Sequence, residues 1–165
     1  MRLKKSFCTF FCCIVFQQVF SQTDSLPVFK RFPELPLFTI MTVPDSVPFT
    51  REALNRKKRT IFIVFSPDCG HCQQYTRQLL DSIGLIRKTQ IVMISSMDFT
   101  HIKNFYEAYK IKSFSMITMG RDGGYHLPTF FSTRQFPSVY VYDKRGVFVQ
   151  HFEGGGSIRE IAGLK

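Results

Sequence analysis

The chain contains no tryptophan and only 12 acidic residues against 22 lysines and arginines. It also lacks an apolar run of the roughly 20 residues that a helical bilayer span needs; the nearest approach, Phe7–Phe16, is short and broken by Thr9. Three of the five cysteines (Cys8, Cys12, Cys13) fall in that run as small hydrophobes, which leaves only Cys69 and Cys72 elsewhere. One pair at this spacing excludes a wider disulfide framework. It closes so small a loop that it removes little entropy from the unfolded chain, so a stapling purpose explains it poorly. There is no second pair to complete a four-cysteine zinc site, and Gln73 stands where a haem-attachment motif requires histidine. No Leu-small-small triplet precedes Cys8, Cys12 or Cys13, so a lipoprotein signal is absent. The basic run Arg56-Lys57-Lys58-Arg59 carries no interleaved aromatics for stacking bases. It leads straight into a strand-like segment, and no nucleic-acid partner is expected.

What the chain does have is enough length for one domain with a real core. Its apolar content of 44% is that of a globular protein, and 19 phenylalanines can fill the interior. Residues 1–21 open with Arg2, Lys4 and Lys5, continue through Phe7–Phe16 and close at Ser21. That is the layout of a secretory signal peptide, cleaved before Gln22; an uncleaved membrane anchor is the alternative. Removal takes three cations and no acid, so the formal charge falls from +10 to +7. A periplasmic or secreted location follows, with residues 22–35 as a flexible lead-in and 36–165 as the folded domain.

Along that domain, Pro36–Val43 alternates partly and reads as an edge strand. Thr50 is placed to cap a short helix over 51–54. Thr60–Phe65 is continuously apolar and β-branched or aromatic, the pattern of a central strand buried on both faces. A helix should begin near Cys69 or Gly70, since Cys72, Tyr75, Leu79 and Ile83 recur at helical spacing, and Gly84 offers a stop. A second buried strand is expected over 90–95. Asp98 is expected to cap a helix with Ile102, Phe105, Tyr106 and Tyr109 on one face. Gly120-Arg121-Asp122-Gly123-Gly124 reads as a turn within a stretch, 111–135, whose pattern gives no order. Pro137 precedes a strand over 138–142, Asp143–Gly146 turns the chain, 147–152 pairs back, and a helix over 157–164 closes the domain. The fold class is therefore α/β, with a mixed sheet and helices on both faces.

Cys69-Gly70-His71-Cys72 sits where a buried strand becomes a helix. Unpaired N–H groups and the dipole at a helix N-terminus stabilise a thiolate there. Cys69 is thus the candidate nucleophile, and Cys72, one turn along on the buried side, the resolving thiol. His71 could add positive charge beside Cys69.

The segment Phe65-Ser66-Pro67-Asp68-Cys69-Gly70-His71-Cys72 resembles the active-site segment of the thioredoxin superfamily. Phe38-Thr39-Ile40 and Leu54 before it, and Phe136-Pro137 through Asp143 and Gly146 after it, extend the resemblance over residues 36–165. They are similar to the exported TlpA/ResA-like branch, also described as redoxin domains. The resemblance implies a thioredoxin-like fold and thiol–disulfide exchange with exported proteins. It implies a cis proline at Pro137, after Phe136, facing the cysteines and leaving the neighbouring backbone free to pair with a substrate, so Gly70, His71, Phe136 and Pro137 join the site. No cofactor or metal is implied, since the cysteines carry the electrons; the partners are protein thiols or disulfides and a membrane-bound redox protein, and the chain is expected to be a monomer. Two positions depart from the family: Asp68 where many members have tryptophan, and Ile63 where thioredoxins often bury an aspartate. Three other readings remain open. Cys69 and Cys72 with one of His71, His101, His126 and His151, or with Met93, Met97, Met116 and Met119, could hold copper for delivery. A peroxidase of peroxiredoxin type would need a single peroxidatic cysteine in its own loop. A non-catalytic binding domain of the same fold is the third.

Overall fold

The computed structural model describes residues 26–164, so the expected signal peptide and its three cysteines lie outside the described residues. The described strands are β1 (Thr39–Thr42), β2 (Pro48–Thr50), β3 (Arg59–Val64), β4 (Thr89–Ser95), β5 (Ile117–Arg121), β6 (Ser138–Tyr142) and β7 (Phe148–Glu153). They form one sheet in the order β2-β1-β5-β4-β3-β6-β7. The three central strands β3, β4 and β5 are parallel, and the outer pairings are antiparallel.

Alternation along the strands builds two cores from one sheet. Ile61 and Ile63 of β3 face one side with Ile91, Met93, Val139 and Val141, while Phe62 and Val64 face the other with Val92, Ile94, Tyr140 and Tyr142. The first side is covered by α2 (Gly70–Asp81), α3 (Phe99–Ala108) and α5 (Ile158–Gly163), and the second by α1 (Val28–Arg31) and α4 (His126–Phe130). The reason is handedness. The crossovers β3–α2–β4 and β4–α3–β5 step the same way across the sheet, and right-handed connections then put both helices on one face. The phenylalanine-rich composition is spent on the second core. The Phe29 ring meets Tyr140 at 5.3 Å and Phe148 at 5.1 Å, and Phe131 stacks on Tyr140 at 4.0 Å.

Several expectations are corrected. The stretch 22–35 is not loose throughout, because Val28–Arg31 is helical, Phe29 is buried, and Glu34 bridges to Val147. Strand β1 is shorter than Pro36–Val43 and is not at the edge; the three-residue β2, too short to leave a periodic signal, pairs outside it. The 51–53 turn is a 3-10 helix, and neither Thr50 nor Asp98 makes a side-chain cap; Asp98 lies 3.8 Å from Arg121 instead. Gly84 does not end α2, which stops at Asp81 and passes into a 3-10 turn over Ile83–Ile86. Gly120 and Arg121 belong to β5, not to a turn. A side chain at Gly120 would meet the Met41 carbonyl at 2.8 Å, so glycine is there to let β1 approach. The turn is confined to the residues that follow, where buried Asp122 accepts a 2.7 Å bond from the Leu127 N–H at the start of α4.

The C-terminus is tied to the start of β3. The Arg59 guanidinium donates to the Leu164 and Ile161 carbonyls at 2.9 and 3.2 Å, satisfying the last turn of α5.

Candidate active site

Strand β3 delivers the chain to the top of the sheet. Phe65 is locked there by its N–H bond to the Ile94 carbonyl (2.9 Å) and by its ring against Phe105 (4.9 Å). Ser66 and Pro67 turn the backbone, with Cys69 N–H donating to the Ser66 carbonyl at 3.2 Å and the Gln73 amide to the Pro67 carbonyl at 3.0 Å. Cys69 becomes the N-cap of α2 with extended backbone, and it is partly exposed, whereas Cys72 is 0% exposed. Both are free thiols.

The two thiols have opposite acidities for stated causes. Partial burial works against ionising Cys69, but the Cys72 backbone N–H, the Cys72 thiol and the His71 backbone N–H outweigh it and hold Cys69 below the ordinary thiol value. Burial pushes Cys72 up to about 12; the Ser66 backbone opposes that, and the adjacent Cys69 adds to it. Ile63, standing where a thioredoxin would place a carboxylate, is buried in the same apolar cluster as Cys72. It is the His71 backbone that acts on Cys69, while residues Gly70 and His71 are otherwise exposed to solvent. The thiolate stabilisation therefore comes from the helix terminus itself.

The chain returns to the site from the far side of the sheet. The Phe136–Pro137 peptide is cis. The Cys69 thiol donates to the Phe136 carbonyl at 3.9 Å, the Phe136 ring is 43% exposed beside it, and Pro137 is buried. Ser138, the first residue of β6, pairs with Val64 and fixes this approach. Cys69, Phe136 and Pro137 thus form one surface.

Sequence reasoning did not find three neighbours. Tyr75, one turn beyond Cys72, is buried with its hydroxyl unpartnered. Gly155, at φ +88°, lies so close that a side chain there would meet the Tyr75 ring at 2.7 Å and Pro137 at 3.3 Å. Asp68 faces His101 of α3 at 3.1 Å, so the acidic residue beside Cys69 has a basic partner. The triple glycine Gly154-Gly155-Gly156 was the available signal for the second; the others join residues far apart in the chain and left none.

The histidines considered for metal do not converge. His101 is on α3 and His126 on α4, and His151 on β7 stacks on Tyr140 at 4.8 Å. Among the described residues no three His, Cys, Asp or Glu side chains gather into a metal-holding group. No described helix is long and apolar enough to cross a membrane.

A mixed sheet carrying a partly exposed cysteine at a helix N-terminus, a buried partner one turn on and a cis proline opposite defines a thioredoxin-like fold. Solved structures of disulfide oxidoreductases share it. A secreted disulfide oxidoreductase of Mycobacterium tuberculosis, homologous to DsbE of E. coli, is 18% identical and aligns over 76% of this chain and 92% of its own, with a TM-score of 0.63. MTB DsbF, solved in mixed oxidised and reduced forms, gives 20% identity, 78% and 94% coverage and a TM-score of 0.65. StoA of Bacillus subtilis gives 13%, 79% and 96%, and 0.60. No protein-family model matches the chain, and no curated protein matches it.

Proposed function

We propose that the protein is an exported thiol–disulfide oxidoreductase acting on protein substrates through Cys69 and Cys72. The observation that carries this reading is the split between the thiols: Cys69 is reachable and held below the ordinary thiol value, while Cys72 is sealed and pushed up to about 12. A thiolate is the attacking species in exchange, and it must reach its target.

In the reducing direction, the Cys69 thiolate attacks one sulfur of a substrate disulfide. A Cys69–substrate bond forms, the substrate S–S bond breaks, and the second substrate sulfur leaves as a thiolate that takes a proton from solvent. Cys72 then loses its proton and attacks the Cys69 sulfur. The Cys69–Cys72 disulfide forms, and the reduced substrate departs with both electrons. The oxidising direction is the reverse. The Phe136 carbonyl beside Cys69 is an acceptor for an extended substrate backbone, and the exposed Phe136 ring offers it an apolar contact. A membrane-bound redox protein would restore the pair.

The test is insulin reduction with dithiothreitol as electron source. Cys69→Ser should abolish turnover. Cys72→Ser, reduced and then freed of dithiothreitol, should stop at a trapped mixed disulfide with insulin, visible on a non-reducing gel. Full activity of Cys69→Ser would overturn the reading. Titration in glutathione buffers gives the potential, and thereby the direction of electron flow.

A further inference from the structure

The parallel strands β3, β4 and β5 all start at the end of the sheet opposite Cys69, and their registers align those starts: Arg59 pairs with Thr89, and Ile91 with Ile117. Strand β3 is six residues long, so this pole lies about 20 Å from the redox pair. The loops that enter the three strands expose Arg56 and Lys57, Arg87 and Lys88, and Lys110 and Lys112. The β6–β7 turn adds exposed Lys144 and Arg145 at the same end, where Thr60 pairs with Tyr142. The acids nearby do not balance them. Asp143 is paired with Arg145 at 3.0 Å, Glu52 with Arg51 at 3.7 Å and Glu107 with Lys103 at 4.0 Å, which leaves Glu34, Asp81 at the end of α2 and Glu160 on α5 against the remaining cations. The opposite end mixes both signs, with Asp68, Asp98 and Glu153 among His71, His101 and Arg121.

Two further features share this pole. Leu85, in the 3-10 turn beside Arg87 and Lys88, is 53% exposed, an apolar side chain projecting between cations. A hollow of about 390 Å³ opens between the β3 entry and the β6–β7 turn, lined by lysines and arginines (Arg56, Lys58 and Lys144 among them) and by Glu34, Glu52 and Asp143. It has room for a phosphate headgroup.

We propose that this pole docks on an anionic phospholipid bilayer, with Cys69 directed away from the surface. Charge complementarity selects the occupant: clustered lysines and arginines are drawn to anionic headgroups, and an apolar side chain among them enters the interfacial layer. Nucleic acid fits less well, because the cations lie on separate loops with no exposed aromatic ring among them to stack a base. The surface does not depend on the redox chemistry, so the two readings fail separately.

The experiment is co-flotation of the full-length chain with vesicles of phosphatidylglycerol and phosphatidylcholine, compared with phosphatidylcholine alone. The wild type should float with the anionic vesicles and be released by salt. K88E/K112E/K144E should lose affinity by at least about tenfold. K30E/K103E/R134E, which removes the same charge from α1, α3 and the loop before Phe136, should keep most of it, and Cys69→Ser should bind as wild type. The N-terminal apolar segment is present in every arm and cancels. Unchanged binding of K88E/K112E/K144E, equal loss in the second triple variant, or displacement from vesicles by a short oligonucleotide would overturn the proposal. Should K88E/K112E/K144E fail to melt cooperatively, the salt titration of the wild type decides, and salt-insensitive binding overturns it.

Discussion

Alkylation of the reduced, folded protein should strike Cys69 and spare Cys72, and the size of the difference can be worked out. Burial moves Cys72 from the ordinary value of 9.0 to about 12. At neutral pH that shift alone lowers its thiolate fraction about 10³-fold relative to an ordinary thiol. A more basic thiolate is a better nucleophile, with a Brønsted coefficient near 0.5, which returns about half of that shift on a logarithmic scale and leaves a net factor of about 30. This is a floor for the ratio between the two cysteines. Cys69 lies below 9.0, and Cys72 is 0% exposed, so reagent access adds to the difference. The assay is a short pulse of iodoacetamide at several pH values, followed by mass spectrometry of the two modified positions. Cys69→Ser should leave Cys72 of the folded protein nearly unlabelled. Unfolding in urea should bring the two cysteines of the wild type to similar rates, because burial and the helix terminus then act on neither. Comparable labelling of Cys69 and Cys72 in the folded state, or a Cys69 rate that rises only above pH 9, would refute the acidity argument and the mechanism built on it.

The reduced protein should lose stability as pH climbs from 9.0 toward about 12, because the unfolded chain ionises Cys72 while the fold keeps it neutral. Urea melts at stepped pH check this, and Cys72→Ala should remove the part of the loss that precedes tyrosine ionisation near 10.0. Phe29→Ala should cost about 3–5 kcal/mol in a urea melt, since it empties a buried aromatic contact shared with Tyr140 and Phe148. A loss under about 1 kcal/mol would mean that α1 is not part of the core. Gly120→Ala should cost about 1–3 kcal/mol by pushing β1 away from β5, read in the same melt and as exchange of the Thr42 and Val43 amides.

The sequence made the central strands and the cysteine segment legible because their signals are local. Ile61–Val64 and Ile91–Ile94 are apolar at every position, a pattern that burial on both faces produces, and the helical spacing after Cys69 directly follows the first of them. What stayed hidden depends on partners distant in the chain. Gly120 looked like turn material because glycine density signals turns, yet its reason is the Met41 carbonyl, far back in the sequence. Phe29 sits in a polar, proline-containing stretch, and nothing short of the folded aromatic cluster assigns it to the core. Asp98 has the chemistry of a helix cap but lies beside Arg121 across a strand end. At the site, Cys69 and Cys72 were readable from spacing and Phe136–Pro137 from resemblance. The Asp68–His101 contact and the Tyr75–Gly155 contact bring separate elements together and carry no periodic signature.

The bond from Arg59 to the end of α5 makes the tail of the protein a stakeholder in its redox centre. Shortening the chain before Ile161 would strip a half-buried guanidinium of both carbonyl acceptors at the very residue from which β3 sets out. That strand is the beam on which Cys69 is mounted, so damage at the last residues would be felt at the sulfur, at the other end of the sheet. Fusions and purification tags are for this reason better tolerated after Leu164 through a linker than in place of the final turn.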